Sequence, residues 1–360
     1  MSTHQPQLEH FHHLSSLVLA LQDAHANDYE FSIRLKEQER QKFIRTAINH
    51  RILVRSLCAL ANHAERSCFP TPDWILAALT TEQARTPHAL NIISSVCAVL
   101  DTSGFPAVVI KSLDHFPDLG SDFDIYTSGS ERDIKKLMRE NFDAQLESKS
   151  LSERLACKYR FRIPNLEKPL EIHRGRLGQT GQQVRMGRLI LQRRVKKSFG
   201  GHKFTVPAPE DQILLRVVDR FYRHYCLRLC DIADIAQLIQ SSTLDFEYLK
   251  NESKRAGIRK GVCAYLEIVD QFYWLYRGEH LRLPPWVWKG ASFDADSVYV
   301  HAGLLRIPLF PQSAGLFTHE LAKAIRRKDI KKSLRTGVIP ALAVAAAARF
   351  RITGRDKGIW

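Results

Sequence analysis

Apolar residues recur at three- and four-residue spacings through the first hundred positions: Leu14, Leu17, Val18 and Leu21, then Ile44, Ile48, Ile52 and Leu53. That spacing puts them on one face of a 3.6-residue helix, so the stretch 14–100 is predicted to be largely helical. Pro70 and Pro72 punctuate it ahead of a short helix at 73–80, and a further helix at 88–101 is predicted to end near Gly104. At Phe105 the pattern changes to short β-branched runs bounded by turn residues. FPAVVIK and DFDIYT read as strands, joined by the polar loop SLDHFPDLGS. Residues 131–141 form a charged amphipathic helix in this reading. KYRFRI and KPLEIHR, separated by Pro164-Asn165, read as a hairpin. Helical spacing returns after Pro207 and Pro209, over 211–225, 229–239, 246–255 and 259–276, before an irregular stretch at 286–311 and a basic final region. The predicted fold class is α+β. A small mixed sheet over 88–206 is held between an N-terminal helical region, 1–87, and a C-terminal helical domain with a basic tail, 207–360.

Composition narrows this picture only slightly. With 44% hydrophobic and 25% charged residues among 360, the chain is an ordinary globular one, not disordered, collagenous or a disulfide scaffold. Charge says more. Fifty-three Lys and Arg against 38 Asp and Glu leave a net +15, which favours anionic partners such as nucleotides, RNA or an acidic membrane surface. Arg185, Arg188, Arg193, Arg194, Lys196, Lys197 and Lys203 form a run with no acid among them, which suits a phosphate-rich acceptor. A second basic cluster, 323–335, contains only Asp329 as an opposing charge. Seven scattered cysteines with no CxxC pair point to a reducing compartment. The segment MSTHQPQLEH has neither a basic nor an apolar signal region. The apolar run 337–348 is shorter than the roughly 20 residues a membrane span requires. A cytoplasmic location without a transmembrane segment is expected.

The most informative segment is Gly120-Ser121-Asp122-Phe123-Asp124-Ile125-Tyr126. On a strand, residues two apart share a face, so Asp122 and Asp124 are expected to project together, roughly 7 Å apart at Cα. Phe123 and Ile125 would then anchor the strand in a core. Paired carboxylates at that spacing repel unless a cation lies between them, and hard oxygen donors suit Mg²⁺ or Mn²⁺. A third acid, Glu171, lies between Leu170 and Ile172 on a later strand, with His173 on the same face. Asp231 and Asp234 read more simply as helix-cap or surface residues than as contacts to a base or ribose. His224, Cys226 and Cys230 match no zinc spacing and read as core residues.

These motifs resemble the polymerase-β superfamily of nucleotidyltransferases, and most closely its bacterial branch of uncharacterised nucleotidyltransferases. The resemblance covers about 88–240 and rests on four phrases. They are Lys111-Ser112, Asp122-Phe123-Asp124, Leu170-Glu171-Ile172-His173 and Pro207-Ala208-Pro209-Glu210-Asp211, followed by CDIADIAQLI. It implies a two-metal, Mg²⁺- or Mn²⁺-dependent enzyme moving NMP from an NTP such as ATP to an unidentified acceptor: RNA, a protein or a small molecule. Asp122, Asp124 and Glu171 would be both catalytic and metal-binding. Lys111, Ser112 and Ser121 would contact the triphosphate, and His173, Arg185, Arg188, Arg193 and Arg194 the acceptor or its phosphates. One departure is plain: the branch has Lys-Gly where this chain has Lys111-Ser112. A catalytically silent relative that binds RNA or a partner is the alternative reading, and transfer of the γ-phosphate is a third.

Overall fold

The computed structural model describes residues 5–21, 25–241, 243–301, 303–342 and 344–345. Five helices come first: α1 (Gln5–Leu19), α2 (Ala26–Arg34), α3 (Glu37–Asn49), α4 (Leu53–Arg66) and α5 (Asp73–Thr102). The sequence predicts two helices where α5 runs as one, with Pro87 inside it. Pro87 removes one backbone donor, but the residues on either side have separate hydrophobic anchors. Ile75 and Leu79 enter a core built with the other N-terminal helices, whereas Leu90, Ile93, Val96 and Leu100 enter a second core against the sheet. The expected junction near residue 87 therefore falls inside a helix that joins two cores.

The sheet strands are β1 (Ala107–Val109), β2 (Phe123–Thr127), β3 (Gln145–Leu146), β4 (Lys158–Arg162) and β5 (Leu170–Arg174). Helices α6 (Glu131–Phe142) and α7 (Leu151–Ala156) interrupt them. The strand order is β1-β2-β5-β4-β3, and only the central β2–β5 pair is parallel. The mixed sheet and the β4–β5 hairpin agree with the sequence reading. After α8 (Val184–Arg193) the chain forms a hairpin that the sequence reading did not foresee, β6 (Val195–Phe199) and β7 (His202–Val206). Gly200 and Gly201 turn it, both at positive φ, where a side chain would be strained. Phe204 and Val206 anchor the hairpin in the sheet core.

Helix α9 (Pro209–Asp219) begins with Pro209 in its first turn and continues as a π turn, Arg220–His224. Strand β8 (Cys226–Leu227) and helices α10 (Leu229–Ser241), α11 (Phe246–Ala256) and α12 (Arg259–Arg277) follow. The stretch expected to be irregular contains α13 (Pro285–Trp288) and a hairpin, β9 (Tyr299–His301) and β10 (Leu304–Arg306), which adds to β8. Helices α14 (Ala314–Arg326) and α15 (Ile330–Gly337) follow, and residues 339–342 are again helical. Among the described residues no helix is long and apolar enough to cross a membrane. The helices before and after the sheet share one core: Leu14 of α1, Leu57 of α4, Val217 of α9 and Val269 of α12 are buried together.

His50, at the end of α3, ties these two helical groups. Its Nδ1 accepts a hydrogen bond from the Leu229 N–H at 3.0 Å, at the start of α10. Burial, assisted by the Arg228 charge, pushes this imidazole down to about 4. An unfolded histidine titrates near 6.5, so between about pH 6.5 and pH 4 the unfolded chain binds a proton that the folded chain refuses. Stability is then present above pH 6.5 and lost as the pH falls through that window, by up to about 3 kcal/mol from this group. His50→Asn keeps an acceptor for Leu229 and removes the titration. Urea midpoints of the variant are expected to fall less between pH 6.5 and pH 4 than those of the wild type; an identical pH slope would refute the role.

Candidate active site

The parallel register of β2 and β5 sets Asp124 opposite Glu171 and Tyr126 opposite His173. Phe123, Ile125, Leu170 and Ile172 point into the sheet core. Period-two alternation therefore turns Asp124, Glu171 and His173 to the other face, toward α9. On the far side of β5, β4 brings Lys158 opposite His173 and Arg160 opposite Glu171. The side chains of Asp124, Glu171 and His173 are almost completely buried.

His173 bridges the two acids. Its Nε2 lies 2.6 Å from Asp124 Oδ1 and 3.2 Å from Glu171 Oε2, while its Nδ1 is buried without a hydrogen-bond partner. Lys158 donates to Glu171 Oε2 at 2.7 Å, and Arg160 to Oε1 at 3.2 Å. Lys111 Nζ lies 3.1 Å from Asp124 Oδ1 and 3.5 Å from Asp219 Oδ1, and Asp219 also accepts from Arg223 at 3.3 Å. Burial works against charge on both acids, yet Lys111 and His173 hold the Asp124 carboxyl below its usual range. Burial is likewise overcome at Glu171, which Lys158, His173 and Arg223 hold well below the usual range. Lys158 itself is pushed down by burial and by the Arg223 charge, against the pull of Glu171. The cavity lined by Lys111, Lys158, His173, Gly178, Asp219 and Arg223 measures only about 20 Å³.

The turn after β1 departs from its expected role at one residue. Lys111 has a φ of +65°, so it takes the left-handed conformation that makes the turn tight. Ser112 is buried, and its hydroxyl accepts from the Asp124 N–H at 2.7 Å and faces the Ile110 carbonyl at 3.3 Å. The serine hydroxyl thus fixes the start of β2 rather than facing the cavity. Asp122 lies one residue ahead of the strand, close enough for its charge to act on Arg160 and Arg223. β2 begins at Phe123, and the Asp122 carboxylate faces Arg51 at 3.7 Å and accepts from the Ser121 hydroxyl at 3.1 Å. Exposed Ser121 in turn accepts from Arg51 at 3.3 Å. Gly120 leaves room for that guanidinium, because a Cβ there would lie 3.0 Å from Arg51.

The three donor atoms that converge belong to Asp124, Glu171 and His173, all within 4.8 Å of one another. Two carboxylates and an imidazole are donors that a divalent ion such as Mg²⁺ or Mn²⁺ accepts. The ammonium groups of Lys111 and Lys158 supply the positive charge at this place, so a divalent ion would have to displace them from the carboxylates. A second cluster, His115, Cys230 and Asp231, has comparable spacing. There the Arg216 guanidinium already fills the centre, 3.0 Å from His115 Nε2 and paired with Asp231.

The four arginines read as acceptor contacts separate into two kinds. Arg193 pairs with Glu210 at 2.5 Å and Asp211 at 3.1 Å and stacks on Tyr248, and Arg185 pairs with Glu252 at 2.9 Å. The acids that compensate these two come from α9 and α11, remote in sequence, which is why the run looked uncompensated. Arg188 and Arg194 are exposed, and Arg194 donates to the Leu191 carbonyl. Asp231 caps α10 through the Arg228 N–H at 2.8 Å, though it is buried with Arg216 and Arg220 and not on the surface. Sequence reasoning missed Arg51, Lys158, Arg160, Asp219 and Arg223. The alternation of Lys158 and Arg160 on a predicted strand beside Glu171, and the four-residue step from Asp219 to Arg223, were the available signals.

No functionally curated protein matches the chain. Among solved structures it is similar to an antigenic nucleotidyltransferase-like protein from Paracoccidioides brasiliensis, with 15% identity and a TM-score of 0.33 over 49% of this chain and 93% of that one. The family described as uncharacterised nucleotidyltransferases matches residues 36–273, which include every residue of the acid cluster and Arg51 as well. With well over half of its length matched, the chain belongs to the uncharacterised nucleotidyltransferase family.

Proposed function

We propose that this protein transfers a nucleoside monophosphate from an NTP to a hydroxyl or phosphate acceptor, with the acid cluster at the reacting centre. The observation that carries the reading is the in-register pairing of Asp124 and Glu171, bridged by His173 and surrounded by Lys111, Lys158 and Arg223. A divalent ion held by Asp124, Glu171 and His173 would neutralise phosphate charge and lower the pKa of an acceptor hydroxyl. Asp122 stands at the rim, held by Arg51 and Ser121. The lysines and Arg223 occupy the small cavity as the ends of flexible side chains, and on nucleotide binding they turn from carboxylates to phosphates. Ser112 acts through the backbone of Asp124, as a positioning residue.

The closed cavity also supports a second reading, a silent relative whose acids are permanently neutralised by Lys158 and Arg160. Pyrophosphate release from labelled NTPs with Mg²⁺, with and without added RNA, separates the two. Asp124→Asn and Glu171→Gln are each expected to lower that release by about 100-fold or more with an unchanged circular dichroism spectrum. Wild-type turnover in either variant would remove the assignment. Chelation with EDTA is expected to stop release, and Mg²⁺ or Mn²⁺ to restore it. Lys111→Ala is expected to raise the KM for the NTP by roughly 10-fold or more, the scale of one hydrogen bond to a charged group. An unchanged KM would place Lys111 outside the phosphate contacts.

A further inference from the structure

The two basic clusters of the sequence are far apart along the chain, but α8 and α15 bring parts of both to one cleft. A cavity of about 580 Å³ opens between α8, the loop 176–183, the end of α11 and α15. Eight basic side chains line it against two acidic ones, Glu252 and Asp329. Both acids are engaged. Glu252 pairs with Arg185 at 2.9 Å and with Arg255 at 2.6 Å, and Asp329 accepts from the Lys332 N–H to cap α15. Lys332 reaches Glu320 at 3.4 Å, and Arg335 donates to the carbonyls of Leu155 and Thr180. Arg176, Arg188 and Lys331 have no acidic partner among the described residues. Burial and the neighbouring Arg176 charge lower the Arg335 pKa, a repulsion that an anion in the cleft would relieve.

The cleft and the small cavity beside the acid cluster are built on one loop and one helix. The loop gives Gly178 to the cavity beside Lys111 and His173, and Arg176, Gly181 and Gln183 to the cleft. Helix α9 likewise turns Leu215 to the first and Leu214 to the second.

We propose that this cleft holds the phosphodiester backbone at the end of an RNA acceptor, an inference that rests on the nucleotidyl-transfer reading above. Six of the eight cations are arginines, whose planar fork matches paired phosphate oxygens. The volume is that of a small-ligand site, suited to a nucleotide or two of a strand rather than to a protein face. Being concave, it meets a flexible strand and not a flat bilayer. No aromatic side chain lines it, so the grip is on phosphates and base preference is weak.

The test titrates a labelled single-stranded RNA of about 12 nucleotides, within the span of known single-strand sites, against the full chain and an Arg188→Glu/Lys331→Glu variant. NTP-dependent pyrophosphate release is followed in parallel. The variant is expected to bind RNA about 10-fold more weakly or worse, with the slope of log affinity against log salt reduced by about 1. Equal affinity and equal slope would overturn the proposal. So would competition by poly-glutamate of matched charge as effective as that by unlabelled RNA, since the cleft would then be an acidic-protein site. Loss of binding to anionic phospholipid vesicles with RNA binding intact would overturn it too, in favour of a membrane. RNA binding that weakens in the variant while the wild type releases no pyrophosphate supports the cleft and removes the transfer reading. Pyrophosphate release by the wild type alongside RNA binding indifferent to the variant does the reverse.

Discussion

Two carboxylates with donor atoms inside 4.8 Å of each other and almost no solvent repel by about 3–4 kcal/mol, taking a protein dielectric near 20. Left alone, one of them would hold its proton. The structure instead surrounds Asp124 and Glu171 with positive charge from separate places. Lys158 and Arg160 come from β4, Lys111 from the turn after β1 and Arg223 from beyond α9, while His173, on the same strand as Glu171, lies between the two acids. Neither the sheet alone nor the helices alone balance the charge. The acid cluster is thus a product of how the sheet is seated against α9.

That seating is itself fixed by buried ions. Arg216 on α9 pairs with Asp114, in the loop between β1 and β2, at 2.8 Å, and with Asp231 on α10. In the same loop Asp118 accepts from Arg55 of α4 at 3.1 Å, and Arg55 also reaches Asp234 at 2.6 Å. Asp234 in turn faces His115. Buried pairs of this kind contribute little net stability, but losing one partner strands the other, so they penalise every misplacement of the loop. Lys111 and Ser112 stand at the start of that loop, and through the hydroxyl of Ser112 the backbone of Asp124 inherits its position.

Some of this was legible in the residues. Period-two alternation is a local property, so Asp124, Glu171 and His173 were assigned to the right faces of the right strands without knowledge of the topology. Asp122 lies just ahead of β2, because the Phe123 N–H donates to the Pro169 carbonyl and pairing starts there, yet its charge still acts on Arg160 and Arg223 of the cluster. The cations were less legible still. Lys158 and Arg160 look like the polar face of a hairpin until β4 is known to lie beside Glu171. Arg51 sits in the turn between α3 and α4, within a stretch whose helical spacing says nothing of the sheet. The Pro-Ala-Pro-Glu-Asp phrase was recognised as a helix entry, but Glu210 and Asp211 are also the counterions of Arg193. The hairpin at 195–206 is masked in the sequence by its lysines, which read as a charge run, although Gly200-Gly201 between alternating runs is a turn signal in its own right.

A cavity of about 20 Å³ admits a water molecule and little else, whereas a nucleotide needs far more room. What closes the space decides how serious the conflict is. Its lining includes three long cations, Lys111, Lys158 and Arg223, beside His173, Asp219, the loop residues Leu177 and Gly178, and Leu215 and Val218 of α9. Moving a long cation from a carboxylate to a phosphate exchanges one anionic partner for another, so the buried positive charge is never left unpaired. Lys158, whose ammonium is the least favoured of the three charges, gives up the least on leaving. The same groups that make the empty site tolerable are therefore suited to receive a polyanion. On the nucleotidyl-transfer reading, rotamer changes of these three cations would be the first step in opening the space beside the strand pair.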